Sequence, residues 1–147
     1  MRRNRWIPIL AFLSAISLFG CATPPEYHFV AKSKTYEKTK DEVWSNLIAY
    51  FTSHSIQIKT IEKVSGVIYA EKLGFAGETY ADCGTPGIAK VLNTVGSFNV
   101  FVEEVGSGSV RVTVNANYVQ SRQFDVNYWT VDCYSTGQLE REILGRL

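Results

Sequence analysis

Residues 97–119 read SFNVFVEEVGSGSVRVTVNANYV, and the way this stretch folds decides the architecture of the chain. Val110, Val112, Val114, Ala116 and Tyr118 alternate with Arg111, Thr113, Asn115 and Asn117. Successive side chains of a strand point to opposite faces, so the alternation predicts a strand with one apolar and one wetted side. Ser97 to Val105 is its natural partner across Gly106, Ser107 and Gly108, a connection short enough for a β-hairpin. A sheet with a single apolar face needs a second layer to cover it.

That layer is encoded upstream. Trp44, Leu47, Ile48 and Phe51 fall at i, i+3, i+4 and i+7, one stripe of an amphipathic helix over about Lys40 to Ser53. Thr39 stands three residues before Glu42, the spacing of a capping box. At helical spacing Trp44 reads as a core aromatic rather than a ligand platform. Ile56 to Lys63 and Val67 to Leu73 read as two strands joined near Gly66, the first with a bulge or bend where its apolar face changes between Ile58 and Ile61. Tyr27 to Glu37 reads as a first strand. Five glycines and Pro86 interrupt residues 74–96, which read as a long loop with a helical turn around Ile88 to Leu92. Residues 120–132 read as a second loop, leading into a short strand near Trp129 to Cys133. A second capping-box spacing, Ser135 to Gln138, precedes a short terminal helix with Leu139, Ile143, Leu144 and Leu147 on its apolar face. The expected fold is therefore α+β, an antiparallel sheet of about five strands packed by one long helix and a short C-terminal helix. The expected order is β-α-β-β-β-β(-β)-α.

The N-terminus decides the compartment. Arg2, Arg3 and Arg5 precede an apolar run from Trp6 to Phe19, the pattern of a secretory signal, and the run is shorter than the roughly 20 residues that span a bilayer. It ends in Leu18-Phe19-Gly20-Cys21, which resembles the lipobox of bacterial lipoproteins, with Phe19 bulkier than is usual at its position. That resemblance implies removal of residues 1–20 and acylation of Cys21. The alternative is an ordinary secretory signal that contains a cysteine. By the same resemblance, Ala22 after the cysteine implies the outer membrane, with the domain facing the periplasm. Pro24 and Pro25 make residues 21–26 a stiff tether which, at about 3.3 Å per residue, holds residues 27–147 as a single domain within roughly 20 Å of the bilayer. The order of elements in that domain is similar to helix-grip-type domains of periplasmic lipoproteins, including an accessory lipoprotein of the β-barrel assembly machine; no functional residue is carried over from it.

Composition narrows the function further. The whole chain has 15 Lys plus Arg and 14 Asp plus Glu, and loss of the three signal arginines leaves a formal net charge of −2. A nucleic-acid footprint needs a basic patch, which is absent, and the scattered cations do not form a polybasic lipid site. Membrane attachment must then come from acyl chains on Cys21. Cys83 and Cys133 form an even pair in an oxidising compartment and read as a disulfide, against the weaker alternative of a metal or redox pair, since there is no CxxC and no histidine at ligand spacing. The two histidines, His28 and His54, lie beside the tether and at the helix end, and both read as surface residues. Glu103 and Glu104 are adjacent on a strand and point to opposite faces. No phosphate loop, zinc spacing or dinucleotide-binding glycine pattern occurs, so no cofactor, no metal and no catalytic constellation is expected.

The reading that follows is a non-catalytic accessory or scaffold subunit of an outer-membrane-associated complex, of barrel-assembly or secretion type, with an envelope protein as partner. The aromatics Phe124, Tyr128 and Trp129 are its candidate contact residues, loop aromatics closing a small core being the competing role. The alternative function is binding of a small apolar or cell-wall-derived ligand between helix and sheet.

Overall fold

The computed structural model describes residues 21–74 and 77–147. The signal-segment expectation for residues 1–20 lies outside the described residues, as do residues 75–76 of the expected first loop.

The hairpin over residues 97–119 is the spine of the molecule, and it is longer than its apolar pattern. β5 (Lys90–Gly106) and β6 (Ser109–Phe124) pair antiparallel from Gly106↔Ser109 back to Lys90↔Gln123. β3 (Val67–Leu73) pairs with β5, and β2 (Gln57–Glu62) with β3. The expected irregularity in β2 is a register shift between Ile58 and Thr60. On the other side of β6, β1 (Ser33–Tyr36) pairs with Val110 to Thr113, and β7 (Asn127–Ser135) pairs with Tyr118 to Phe124. β4 (Ala81–Asp82) adds two residues beside the end of β7. The seven-stranded sheet has the order β2-β3-β5-β6-β7-β4, with β1 also on β6.

α1 (Lys40–Ser53) covers the apolar face as its stripe predicts, with Trp44, Leu47 and Phe51 buried, Ile48 half-buried, and Val43 and Tyr50 joining them. Its capping box forms: Glu42 N–H donates to Thr39 Oγ1 at 3.3 Å and Thr39 N–H to Glu42 Oε2 at 2.9 Å. Opposite lie Ile68, Phe98, Val100, Val112 and Val114, with Phe51 and Phe98 ring centroids 5.7 Å apart. Gly66 turns the chain between β2 and β3 at φ +72, and a Cβ there would meet the Val102 carbonyl oxygen at 2.1 Å, so only glycine fits. α2 (Gly77–Tyr80) is a single turn, and α3 (Gln138–Gly145) packs Leu139, Ile143 and Leu144 on the core.

The expected helix-packed α+β fold with one long helix is not what forms. Strands outweigh helices more than two to one in residues, and the helices are short pieces laid on an extensive antiparallel sheet. Much of both expected loops is sheet: β5 begins at Lys90, β6 runs to Phe124, and β7 starts at Asn127. The element order on which the helix-grip resemblance rested is thereby replaced. Alternation fails as a guide in these segments because the inward residues Thr94, Gln120 and Arg122 are polar, and because a register shift between Val91 and Asn93 breaks the period. The first strand is also shorter than Tyr27 to Glu37. The helical turn falls at Gly77–Tyr80 rather than Ile88 to Leu92. At α3 the N-cap is Gly137, and Ser135 Oγ instead accepts from Gly137 N–H at 3.0 Å and donates to Glu140 Oε2 at 2.9 Å, so the second capping box does not form.

Candidate functional site

Beyond the edge of the helical layer, the inner face of β5, β6 and β7 continues with polar residues, and this end of the sheet gathers the features that the sequence marked. Cys83 and Cys133 are joined by a disulfide, tying the segment after β4 to β7. Beside it Arg122 is 5% exposed. Its guanidinium donates to the carbonyls of Cys83, Gly84 (3.1 Å) and Thr85 (3.4 Å), and its Nε to Gln120 Oε1 at 2.7 Å. Gln120 Nε2 in turn donates to Thr94 Oγ1 at 3.3 Å. Burial pushes the Arg122 group below its ordinary value, and the ring of carbonyls supplies the acceptors that a buried cation needs. Residues 83–85 are thus held at one end by a covalent bond and along their backbone by an arginine.

The chain entering the domain docks onto this platform. Thr23 N–H donates to Thr85 Oγ1 at 2.8 Å, Thr85 N–H returns the bond to Thr23 Oγ1 at 3.0 Å, and Thr85 Oγ1 lies 3.1 Å from the Cys21 carbonyl oxygen, which accepts from it. The Thr23 carbonyl passes so close to Gly84, itself at φ +65, that a Cβ there would lie 2.1 Å from it. His28 Nε2 and Asp82 Oδ2 are 3.1 Å apart, and Tyr27 meets Tyr134 edge-on at 5.5 Å. The Gly84 amide, which donates to Asp82 Oδ1 at 2.8 Å, and then His28 hold the Asp82 carboxyl below the usual carboxylate range. Residues 21–28 are therefore a strap fastened to the domain, where the sequence reading has a tether over 21–26.

Two depressions flank the strap. A crevice of about 700 Å³ runs between Thr23, Pro24 and His28 on one side and Asp82, Thr85 and Gln120 on the other. A second, of about 400 Å³, is lined by Ala22, Pro86, Ile88, Phe124 and Trp129. Phe124 (49% exposed), Tyr128 (67%) and Trp129 (40%) are surface residues, so they do not close the core. Phe124 and Trp129 share the inner side of the sheet with Arg122, whereas Tyr128 points to the other face and accepts from Gln123 Nε2 at 2.9 Å. Cys21 is exposed.

Two further groups of titratable side chains tie helices to the fold. His54 stacks on Tyr50 at 4.1 Å between centroids, with its Nδ1 2.9 Å from the Tyr50 carbonyl. Glu142 accepts from Tyr50, Tyr80 and Gln138, joining the three helices, and burial followed by the Glu142 charge holds both phenols above their ordinary range. Among the described residues no group of three metal-ligating side chains comes together. No helix among them is long and apolar enough to cross a membrane.

Arg122, the Thr23–Thr85 clasp and Gly84 are not among the candidates that the sequence offers. Gln120 and Arg122 at period two were a legible signal for a strand whose buried side is polar. The clasp left none, because it joins residues 62 positions apart through a hydroxyl and backbone groups. In comparisons with known proteins, no family model, no curated protein and no solved structure matched the chain.

Proposed function

We propose that this chain is a lipoprotein of the bacterial envelope, acylated on Cys21 after removal of residues 1–20. In this reading its domain faces the periplasm from the outer membrane and acts by contact, as a non-catalytic accessory subunit of a membrane-associated assembly. The observation that carries the reading is the position of Cys21: an exposed cysteine, at the end of a lipobox-like motif, whose carbonyl is held by Thr85 on a platform braced by Arg122 and a disulfide. Anchoring through several acyl chains is stable, whereas a single chain holds only marginally. A rigidly fastened anchor suits a protein that must hold a fixed pose for a partner, because the ordering cost of binding is already met.

The ligand-binding alternative places a cavity between helix and sheet. Trp44, Leu47, Phe51 and Phe98 occupy that space, and the two depressions described above lie beyond it. A core filled between helix and sheet leaves no storage space there and favours contact over ligand storage.

The test is mass spectrometry of protein extracted from membranes, paired with recovery of the gently solubilised full-length chain by antibody. A tri-acylated or di-acylated N-terminal Cys21 and a stoichiometric envelope protein are expected. A soluble chain cut elsewhere refutes the anchor, and an acylated chain recovered alone refutes the accessory role.

A further inference from the structure

At the anchored end of the sheet two tight turns carry large apolar side chains at their tips. Ile88, in the turn closed by Ala89 N–H to the Pro86 carbonyl, is 77% exposed, and Val126, in the β6–β7 turn, is 75% exposed. Turn tips ordinarily carry Gly, Asn, Asp or Ser, so branched apolar residues at two neighbouring tips need an apolar environment to explain them. Phe124 and Trp129 lie between, in the depression that Ala22 also lines. The next residue is Cys21, preceded in the sequence by the apolar run Trp6 to Phe19. Whether acyl chains or that run continue from Cys21, lipid-soluble material leaves the domain within one residue of this patch.

We propose that the end face formed by Ile88, Phe124, Val126, Tyr128 and Trp129 is seated in the headgroup layer of the bilayer that holds Cys21, so that the domain stands on the membrane in one orientation. Trp and Tyr, with an apolar body and a polar tip, are the side chains that settle at this depth. Asp125, beside Val126 in the turn, keeps the insertion shallow, since a carboxylate stays with water and headgroups. The clasp between Thr23 and Thr85 prevents the domain from swinging away from its anchor. A protein partner at this face would have to displace the lipid that the anchor brings to it, which moves Phe124, Tyr128 and Trp129 from protein contact to lipid contact. This inference rests on the anchored reading proposed above.

The experiment reconstitutes full-length membrane-extracted protein into vesicles of phosphatidylethanolamine and phosphatidylglycerol carrying brominated acyl chains. Trp44 is buried in the core and Trp129 is exposed, so the fluorescence difference between wild type and Trp129→Phe reports Trp129. Strong quenching by the brominated lipid, lost in Trp129→Phe, is expected. The double variant Ile88→Asp, Val126→Asp alters only exposed tips and should abolish the quenching with acylation and near-ultraviolet dichroism unchanged. Protein that floats with the vesicles while Trp129 is quenched by aqueous iodide alone overturns the seating and leaves the anchor standing. Trp129 shielded from both quenchers is covered by protein, which also overturns it. Protein that does not float removes the anchor, and the seating with it.

Discussion

Replacing Arg122 by methionine tests whether the buried guanidinium holds residues 83–85 against the sheet. Methionine keeps the long stem and removes every donor. A hydrogen bond to a charged group contributes about 1.5–3 kcal/mol, and a buried acceptor stripped of its donor costs about 1–3 kcal/mol. The four acceptors do not count equally. Thr85 is exposed and its bond is long, so water can take over there, and Gly84 is half-buried. The Cys83 carbonyl and the Gln120 amide remain as buried losses, roughly 4 kcal/mol before compensation. Against this, methionine removes the penalty of keeping a cation out of water, and exchanging buried charge for apolar volume can return about 1–4 kcal/mol. The carbonyls stay behind, so the return is partial and the expected net loss is about 2–3 kcal/mol. In a domain of this size that lowers Tm by roughly 10 °C. Far-ultraviolet dichroism of the detergent-solubilised protein, disulfide intact, measures it, and the rate of disulfide reduction by a soluble thiol should rise in parallel. A variant as stable as wild type, with unchanged reduction, would show that water satisfies these carbonyls and that Arg122 holds nothing.

Gly84→Ala is expected to release the strap, because the new Cβ would sit 2.1 Å from the Thr23 carbonyl in a backbone conformation that alanine disfavours. Limited proteolysis should then cut near Thr23, and unchanged resistance refutes the close packing. The Asp82 carboxyl is held below its unfolded value of about 3.9, so its contribution is present above that pH and is lost as pH falls through the lower folded value. Protection of residues 21–28 from hydrogen exchange, taken relative to the intrinsic rate at each pH, should therefore fall on acidification below about pH 4, and Asp82→Asn should flatten this dependence; equal acid slopes in both proteins refute it. Removing the disulfide with Cys83→Ala and Cys133→Ala is expected to cost about 2–4 kcal/mol in chemical denaturation, and an unchanged midpoint would show that Arg122 alone suffices to hold the loop.

The parts of the fold that sequence made legible are those in which an apolar pattern coincides with burial. Thr39, Glu42 and the stripe from Trp44 to Phe51 mark α1 from Lys40 to Ser53, because cap and stripe are local signals that tertiary contacts reinforce. The two cysteines marked their bond because an even pair with no CxxC and no histidine at ligand spacing leaves few alternatives. Legibility fails where the buried side is polar. Thr94, Gln120 and Arg122 point inward, and what lies over Arg122 is the backbone of residues 83–85 rather than apolar side chains, so period-two alternation carries no hydrophobic contrast there. β7 fails for the opposite reason: most of its residues are open to solvent on both sides, which leaves Phe124, Tyr128 and Trp129 looking like a loop. The site was half legible in consequence. Its aromatics and Cys21 were visible as residues, but their nearness depends on the strap, whose fastening is made of small polar groups and backbone.

Fastening the strap changes what the domain can reach. A free tether of a few residues would let the domain rotate about its anchor and offer any face to a partner. The clasped strap instead places Cys21, the proposed anchor, at the Lys90 end of β5, and the 17 residues of that strand lead away from it to the Gly106 turn. At about 3.3 Å per residue the opposite end of the sheet stands roughly 50 Å from the end that carries Cys21. There Val64 is 95% exposed in the β2–β3 turn, and Ile61 and Val105 are exposed nearby. If the proposed anchoring and seating hold, a partner cannot dock at Phe124, Tyr128 and Trp129, and the exposed tip at Val64 is where one would meet the domain away from the membrane. Val64→Asp separates the two arrangements. It should weaken capture of the partner while leaving Trp129 quenching by brominated lipid unchanged, because the substitution lies at the other end of a rigid sheet. Loss of quenching in that variant would mean that the two ends are not independent, and that the sheet does not act as the spacer its length implies.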